Sequence, residues 1–257
     1  MSSASQISLA GQHALVTGGG RGIGRAVASA LKAQGAVVSI VGRDAGVLRE
    51  AVAQGAADAF RACDVRDEAA MAQACSELGE TTPIDIVVAN AGAVETGSFA
   101  GSDAERFRRM YEINLIGTVN AFHAALPGMQ ARRRGRLIAI ASTAGHRGYA
   151  YVSAYVAAKH AVIGLVRSLA LETARSGITV NAICPGYTDT DMVSGSLDAI
   201  TAKTGLSRDE ALAQLVKSNP QGKLISPEEI AAAVLYLCAA SSASVTGQSL
   251  LINGGEF

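Results

Sequence analysis

The chain has 257 residues, 49% of them hydrophobic, and its 22 basic side chains balance 22 acidic ones to a formal net charge of zero. That length suits one large α/β domain, and a neutral chain lacks the basic footprint of a nucleic-acid binder. The four cysteines (Cys63, Cys75, Cys184, Cys238) hold no Cys-x-x-Cys pair and the four histidines supply no ligand spacing, so neither a disulfide framework nor a metal site is expected.

Residues 1–9 are Ser-rich, with no basic or apolar stretch of the kind a signal peptide needs. No uninterrupted apolar run reaches the ~20 residues of a membrane span. The expectation is a soluble, reduced, cytoplasmic protein that partners neither nucleic acid nor membrane.

In chain order, nearly continuous apolar runs at 13–17, 37–41, 84–89, 137–141, 179–184 and 249–252 read as strands buried on both faces, with 59–63 a weaker seventh. Helical patterns at 23–34, 43–54, 68–78, 104–130, 154–176 and 228–239 lie between them. Ser102-x-x-Glu105 reads as a capping box, and Ser226-Pro227-Glu228-Glu229 adds proline at a first helical position. Such alternation predicts a doubly wound parallel sheet with right-handed crossovers. The polar, helix-prone stretch 191–224 is too long for an ordinary connection and reads as a lid, the alternative being a surface insertion. Arg132, Arg133, Arg134 and Arg136 form the one dense basic run, which reads as a solvated loop.

Thr17-Gly18-Gly19-Gly20-Arg21-Gly22-Ile23-Gly24 follows the first strand and opens the first helix. Glycines there allow a tight turn and let backbone N–H groups approach a pyrophosphate at a helix N-terminus. The second strand ends in Val41-Gly42-Arg43-Asp44. Arg43 and Arg21 would clasp a ribose 2′-phosphate, which favours NADP(H) over the alternative NAD(H). Asp44 would either repel that phosphate or cap the next helix.

Further along, Tyr155 and Lys159 stand four apart on one helix face. Ser142 ends the strand upstream, and Asn114 interrupts a largely apolar helical stretch. Strand C-termini of doubly wound sheets are where ligands bind.

With Cys63-Asp64-Val65, Asn90-Ala91-Gly92, Pro185-Gly186 with Thr190, and Gly247-Gln248 before Gly254-Gly255, these marks resemble a short-chain dehydrogenase/reductase from end to end. The resemblance implies a single-domain Rossmann fold over 1–257, with a seven-stranded sheet and a helical substrate lid at about 191–224. It implies that Ser142 donates a hydrogen bond to the substrate oxygen and that Tyr155 exchanges a proton with it. Lys159 favours the tyrosinate and binds the nicotinamide ribose, and Asn114 holds a water that links Lys159 to solvent. For the coenzyme it implies Gly18, Gly22, Ile23 and Gly24 at the pyrophosphate, and Asp64 and Val65 at the adenine. Asn90, Ala91 and Gly92 fall at the adenosine ribose, and Pro185, Gly186, Thr188 and Thr190 at the carboxamide. A homotetramer is implied too; the apolar positions Val162, Leu165, Val166 and Leu169 read either as its interface or as core.

Within that family, Ser153 to His160 and Asn181 to Gly186 look most like 3-hydroxybutyrate dehydrogenases. That group grips a free carboxylate at two positions occupied here by Ala144 and Val152, which removes two partners worth roughly 1.5–3 kcal/mol each. Thr143 to Tyr149 instead resembles 3-oxoacyl thioester and polyketide reductases. The expectation is therefore interconversion of a 3-oxoacyl and a 3-hydroxyacyl thioester, with Ala144, His146, Val152, Tyr187 and Met192 around the substrate. Arg147 or the Arg132–Arg136 run would meet a phosphopantetheine or nucleotide tail. The alternatives are a dehydrogenase of a free secondary alcohol or hydroxy acid, and a noncatalytic dinucleotide sensor.

Overall fold

The structure, a computed structural model, describes residues 7–257; most of the N-terminal 1–9 stretch therefore lies outside the described residues, as do the side chains of Met192, Ala199, Ile200 and Lys203. Seven strands, β1 (His13–Thr17), β2 (Val37–Gly42), β3 (Ala59–Ala62), β4 (Ile84–Ala89), β5 (Gly135–Ile140), β6 (Ile178–Pro185) and β7 (Ser249–Ile252), form one parallel sheet in the order β3-β2-β1-β4-β5-β6-β7. The order reverses between β1 and β4, so the crevice at their C-terminal ends is the place where such sheets bind ligands. The helices are α1 (Gly22–Ala33), α2 (Ala45–Ala53), α3 (Glu68–Gly79), α4 (Ala104–Tyr111), α5 (Gly117–Arg132), α6 (Ser153–Thr173), α7 (Asp191–Thr204), α8 (Arg208–Leu215) and α9 (Pro227–Cys238).

Successive strand side chains point to opposite faces, and the core splits accordingly. Val16, Val88 and Ile138 join Val27 of α1 and Val234 of α9 in one layer. Leu15, Val87 and Leu137 join Met71 of α3, Phe122 of α5 and Val166 of α6 in the other. Each such fully buried aliphatic side chain contributes about 1.5–3 kcal/mol.

Val162 and Val166 are sheet-facing core, with Leu169 packed against the same layer. By length and composition alone α6 with its following turn, Ser153–Ser176, could cross a bilayer. No uninterrupted apolar run marks it, because Lys159, His160 and Arg167 punctuate the helix. Here α6 packs on β6.

Three local readings need correction. The predicted 104–130 helix is divided by a π turn, Glu112–Ile116, between α4 and α5. Ser102 is not the cap: Asp103 accepts from the Arg106 N–H at 2.9 Å, while Ser102 donates to the Ser98 carbonyl at 2.8 Å. An acidic side chain one residue closer to the helix has the better geometry. The Ser226 capping box is present, with Glu229 reaching back at 2.7 Å.

The third concerns the arginine run. Asp85, 2% exposed, accepts from Arg134 at 2.8 Å and lies 3.4 Å from Arg132, and Arg132 also donates to the Ile84 carbonyl at 2.6 Å. These residues sit at the N-terminal ends of β4 and β5, whereas Ser142 follows the C-terminal end of β5. A strand of 6 residues separates the two ends, about 20 Å at 3.3 Å per residue. Arg132 and Arg134 neutralise a buried carboxylate, and the run lies at the end of the sheet opposite Ser142.

Candidate active site

At the first turn the glycines are required by geometry. Gly22 has φ 52°, a left-handed conformation natural to glycine. A Cβ at Gly24 would lie 2.2 Å from the Gly18 carbonyl oxygen and 2.5 Å from Asn90 Nδ2. Asn90 is what draws the turn in. Its Nδ2 donates to the carbonyls of Thr17 and Gly18 at 3.0 and 3.2 Å, and Thr17 Oγ1 accepts from the N–H groups of Asn90 and Ala91, both at 2.9 Å. Helices α2, α3, α4, α8 and α9 are capped by Asp or Ser side chains, whereas α1, α5, α6 and α7 are not. Their first-turn N–H groups therefore lack side-chain acceptors, and a glycine cradle precedes α1. Both features fit a dinucleotide phosphate at α1 and a carboxamide at Thr188–Thr190 before α7.

Asp44 accepts from the N–H groups of Gly46 and Val47 at 2.9 and 3.2 Å. Its carboxylate is committed to capping α2. Arg21 and Arg43 are exposed, and neither side chain makes a hydrogen bond or ion pair among the described residues. Asp64 pairs with Arg66 at 2.6 Å, which holds its carboxyl below the ordinary range. Val65 is fixed by Asn120, whose Nδ2 donates to its carbonyl at 2.8 Å. Asn120 escaped the sequence reading because nothing marks an Asn amid apolar helical residues as a brace.

Ser142, Tyr155 and Lys159 converge beyond β5. Ser142 Oγ accepts from the Ala144 N–H at 3.1 Å. Lys159 Nζ donates to the Ile140 carbonyl at 2.9 Å and lies 5.6 Å from the centroid of the Tyr155 ring. Tyr151, with φ 67°, sets the chain direction just before α6 begins, and its carbonyl accepts from the Gly97 N–H at 2.7 Å. Burial pushes the Tyr155 phenol up, against the pull of the neighbouring Ser142 hydroxyl. Burial also draws the Lys159 ammonium down to about 8. At neutral pH the phenol is therefore protonated and Lys159 still mostly charged. The expected lowering of Tyr155 by Lys159 is not what dominates in this state; desolvation does.

Asn114 lies in the π turn. Its Nδ2 donates to the carbonyls of Ala93 and Met110, both at 3.0 Å, and Thr118 donates to its carbonyl at 2.9 Å. Met110, Ala154 and Ala158, with Tyr155 against them, tie the π turn to α6. Single π turns of this kind inside α-helices are frequent at functional sites.

Among the substrate candidates, Ala144 is buried, Val152 precedes α6, and Tyr187 is 38% exposed beside Gly186. His146 keeps its Nε2 buried without a partner, and burial pulls its pKa down. Met192 begins α7, and its side chain lies outside the described residues. Cys184, fully buried in the core, lies beside Lys159 and the Ser142 backbone, its thiol pushed up to about 12 by burial and so neutral. No cluster of potential metal ligands occurs among the described residues.

A family model described as enoyl-(acyl carrier protein) reductase matches residues 18–256. The chain is 36% identical to the D-beta-hydroxybutyrate dehydrogenase of Cupriavidus necator, over 96% of this chain and 98% of that protein. The chain belongs to the short-chain dehydrogenase/reductase family. It is likewise 36% identical to the acetoacetyl-CoA reductase of Shinella zoogloeoides, over 95% of this chain and 98% of that one. The solved structure of a point variant of actinorhodin polyketide ketoreductase with NADPH superimposes with a TM-score of 0.91 at 35% identity, covering 95% of this chain and 97% of that one. As a short-chain dehydrogenase/reductase, this protein is an oxidoreductase acting on CH–OH groups or the matching carbonyls.

Proposed function

We propose that this short-chain dehydrogenase/reductase uses NADP(H) to reduce 3-oxoacyl thioesters, on coenzyme A or a carrier protein, to 3-hydroxyacyl thioesters. The observation that carries this reading is the convergence of the half-buried Tyr155 side chain with Ser142 and Lys159 beyond β5. When bound, the coenzyme supplies the hydride. Ser142 donates a hydrogen bond to the substrate oxygen and stabilises the charge that develops there. Tyr155 gives that oxygen its phenolic proton. Lys159 returns the proton to the phenol, and Asn114 holds the water that connects Lys159 to solvent.

The absence of cationic partners at Ala144 and Val152 supports a thioester over a free acid, as does likeness to the acetoacetyl-CoA and polyketide reductases. Helices α7 and α8 share a small apolar cluster of their own, Val193, Leu197 and Ala211. Its separateness from the sheet core supports their service as the lid over the acyl chain. The protein works in the cytoplasm as a homotetramer of single-domain subunits, a reading that rests on family likeness.

A parallel assay of acetoacetyl-CoA and free acetoacetate, each with NADPH and NADH, tests this reading. The thioester with NADPH should exceed the other three combinations at least about tenfold, since each lost charged contact is worth that much. Activity with free acetoacetate alone would return the assignment to a hydroxy-acid dehydrogenase.

Two further results are expected. Changing Arg21 and Arg43 together to Ala should weaken NADPH binding roughly 10- to 100-fold and leave NADH binding within about threefold, read by calorimetric titration. Reduction rates should stay level below pH 8 and fall above it as Lys159, with its pKa near 8, loses its proton. Oxidation of the hydroxyacyl product should instead climb with alkaline pH, because it needs the tyrosinate that burial disfavours. A reductive profile that rises through pH 8 would contradict both assignments.

A further inference from the structure

After β7 the chain reverses at Gly254 and Gly255, φ 65° and 86°, and brings Glu256 back over the segment that follows Ser142. The Glu256 side chain is 2% exposed, 3.7 Å from Arg147 Nη1. Tyr149 donates its hydroxyl hydrogen to Glu256 Oε1 at 2.8 Å. Arg147 is held from both sides, its guanidinium carbon 5.2 Å from the Tyr149 ring centroid and 5.3 Å from that of Phe257. The other carboxylate oxygen, Oε2, lies 3.8 Å from where a Cβ on Gly186 would stand. A buried carboxylate is costly unless its partners are kept in place, so this one fixes the groups around it.

Those groups belong to two separate segments. One is the 142–149 stretch, with Ser142, Ala144 and His146; the other is the turn after β6, with Gly186 and Tyr187. We propose that Glu256 is a positioning residue for the substrate wall, tying the 142–149 segment to the Gly186–Tyr187 turn through Tyr149 and Arg147. It touches no reacting atom; it sets the spacing between the two walls. The proposal rests on the reading above that these segments line the substrate. Burial and the facing carboxylate together push the Tyr149 phenol up to about 12, so the hydroxyl stays a donor throughout the working range.

The test uses Glu256→Gln, Tyr149→Phe and the double variant of the full chain. Each single change should raise KM for acetoacetyl-CoA about tenfold while kcat falls less than about threefold, the signature of lost ground-state positioning. The double variant should be no worse than Glu256→Gln alone, because loss of the carboxylate already weakens the hold on both Tyr149 and Arg147. Amide hydrogen exchange across 143–151, measured without substrate or coenzyme, should quicken at least about tenfold in Glu256→Gln. Additive KM effects, or unchanged exchange across 143–151, would overturn the proposal. Quickened exchange in Glu256→Gln, together with a native chain that reduces no ketone, would uphold the tie and defeat only the assigned reaction.

Discussion

Tyr155→Phe is expected to lower kcat for ketone reduction about 10²- to 10⁴-fold, the range that a general acid supplies, and to leave NADPH affinity within about threefold. The substitution removes one oxygen and keeps the ring that packs on Met110, Ala154 and Ala158, so the fold and the glycine turn stay as they are. What goes is the proton. Ser142 cannot replace it: its Oγ is anchored by the Ala144 N–H, and an aliphatic hydroxyl is a far weaker acid than a phenol. Steady-state kinetics with calorimetric NADPH titration checks both halves. Retained turnover in Tyr155→Phe would move the acid elsewhere, and His146, with its buried unpartnered Nε2, would be examined next.

Gly24→Ala should weaken dinucleotide binding more than about 100-fold and lower the melting temperature by several degrees. The new methyl carbon would sit 2.2 Å from the Gly18 carbonyl oxygen, and backbone cannot rotate away as a side chain can. Either α1 moves off β1 or the Gly18 turn opens, and both carry the helix N-terminus away from its ligand. Overpacking of this kind costs about 1–3 kcal/mol, or roughly 2–4 °C per kcal/mol in a chain of this size. Gly164→Ala is the control. Gly164 lies in α6 with nothing within 4 Å of the added Cβ, so it should bind NADPH normally and melt no lower than the native chain. Thermal unfolding and NADPH titration of the pair separate a local clash from a general intolerance of alanine.

Much of this was legible in the residues. The strands read correctly because, buried on both faces, they are nearly unbroken apolar runs, and 249–252 was found even at the sheet edge. The glycine turn and the Tyr155–Lys159 spacing are local patterns with local causes, so they survive in sequence. The π turn at Asn114 was invisible, since its composition differs in no way from an α-helix and the bulge is set by how α4 and α6 meet. Ser102 misled because two capping residues stand side by side and the choice between them is a matter of ångströms. The arginine run read rightly as solvated, but as a contact for a thioester tail it misled, because β5 carries it to the opposite end of the sheet from Ser142. Glu256 and Tyr149 are 107 residues apart, and no one-dimensional pattern joins them.

The account stands on a carbonyl accepting its proton from the Tyr155 phenol while the bound coenzyme delivers hydride. A single-turnover experiment reads this most directly: the protein, loaded with one equivalent of NADPH, is mixed rapidly with acetoacetyl-CoA and the NADPH absorbance is followed. Loss of absorbance equal to the enzyme present, at a rate level up to pH 8 and declining beyond it, is the predicted result. Tight NADPH binding with no loss of absorbance at any pH would contradict it.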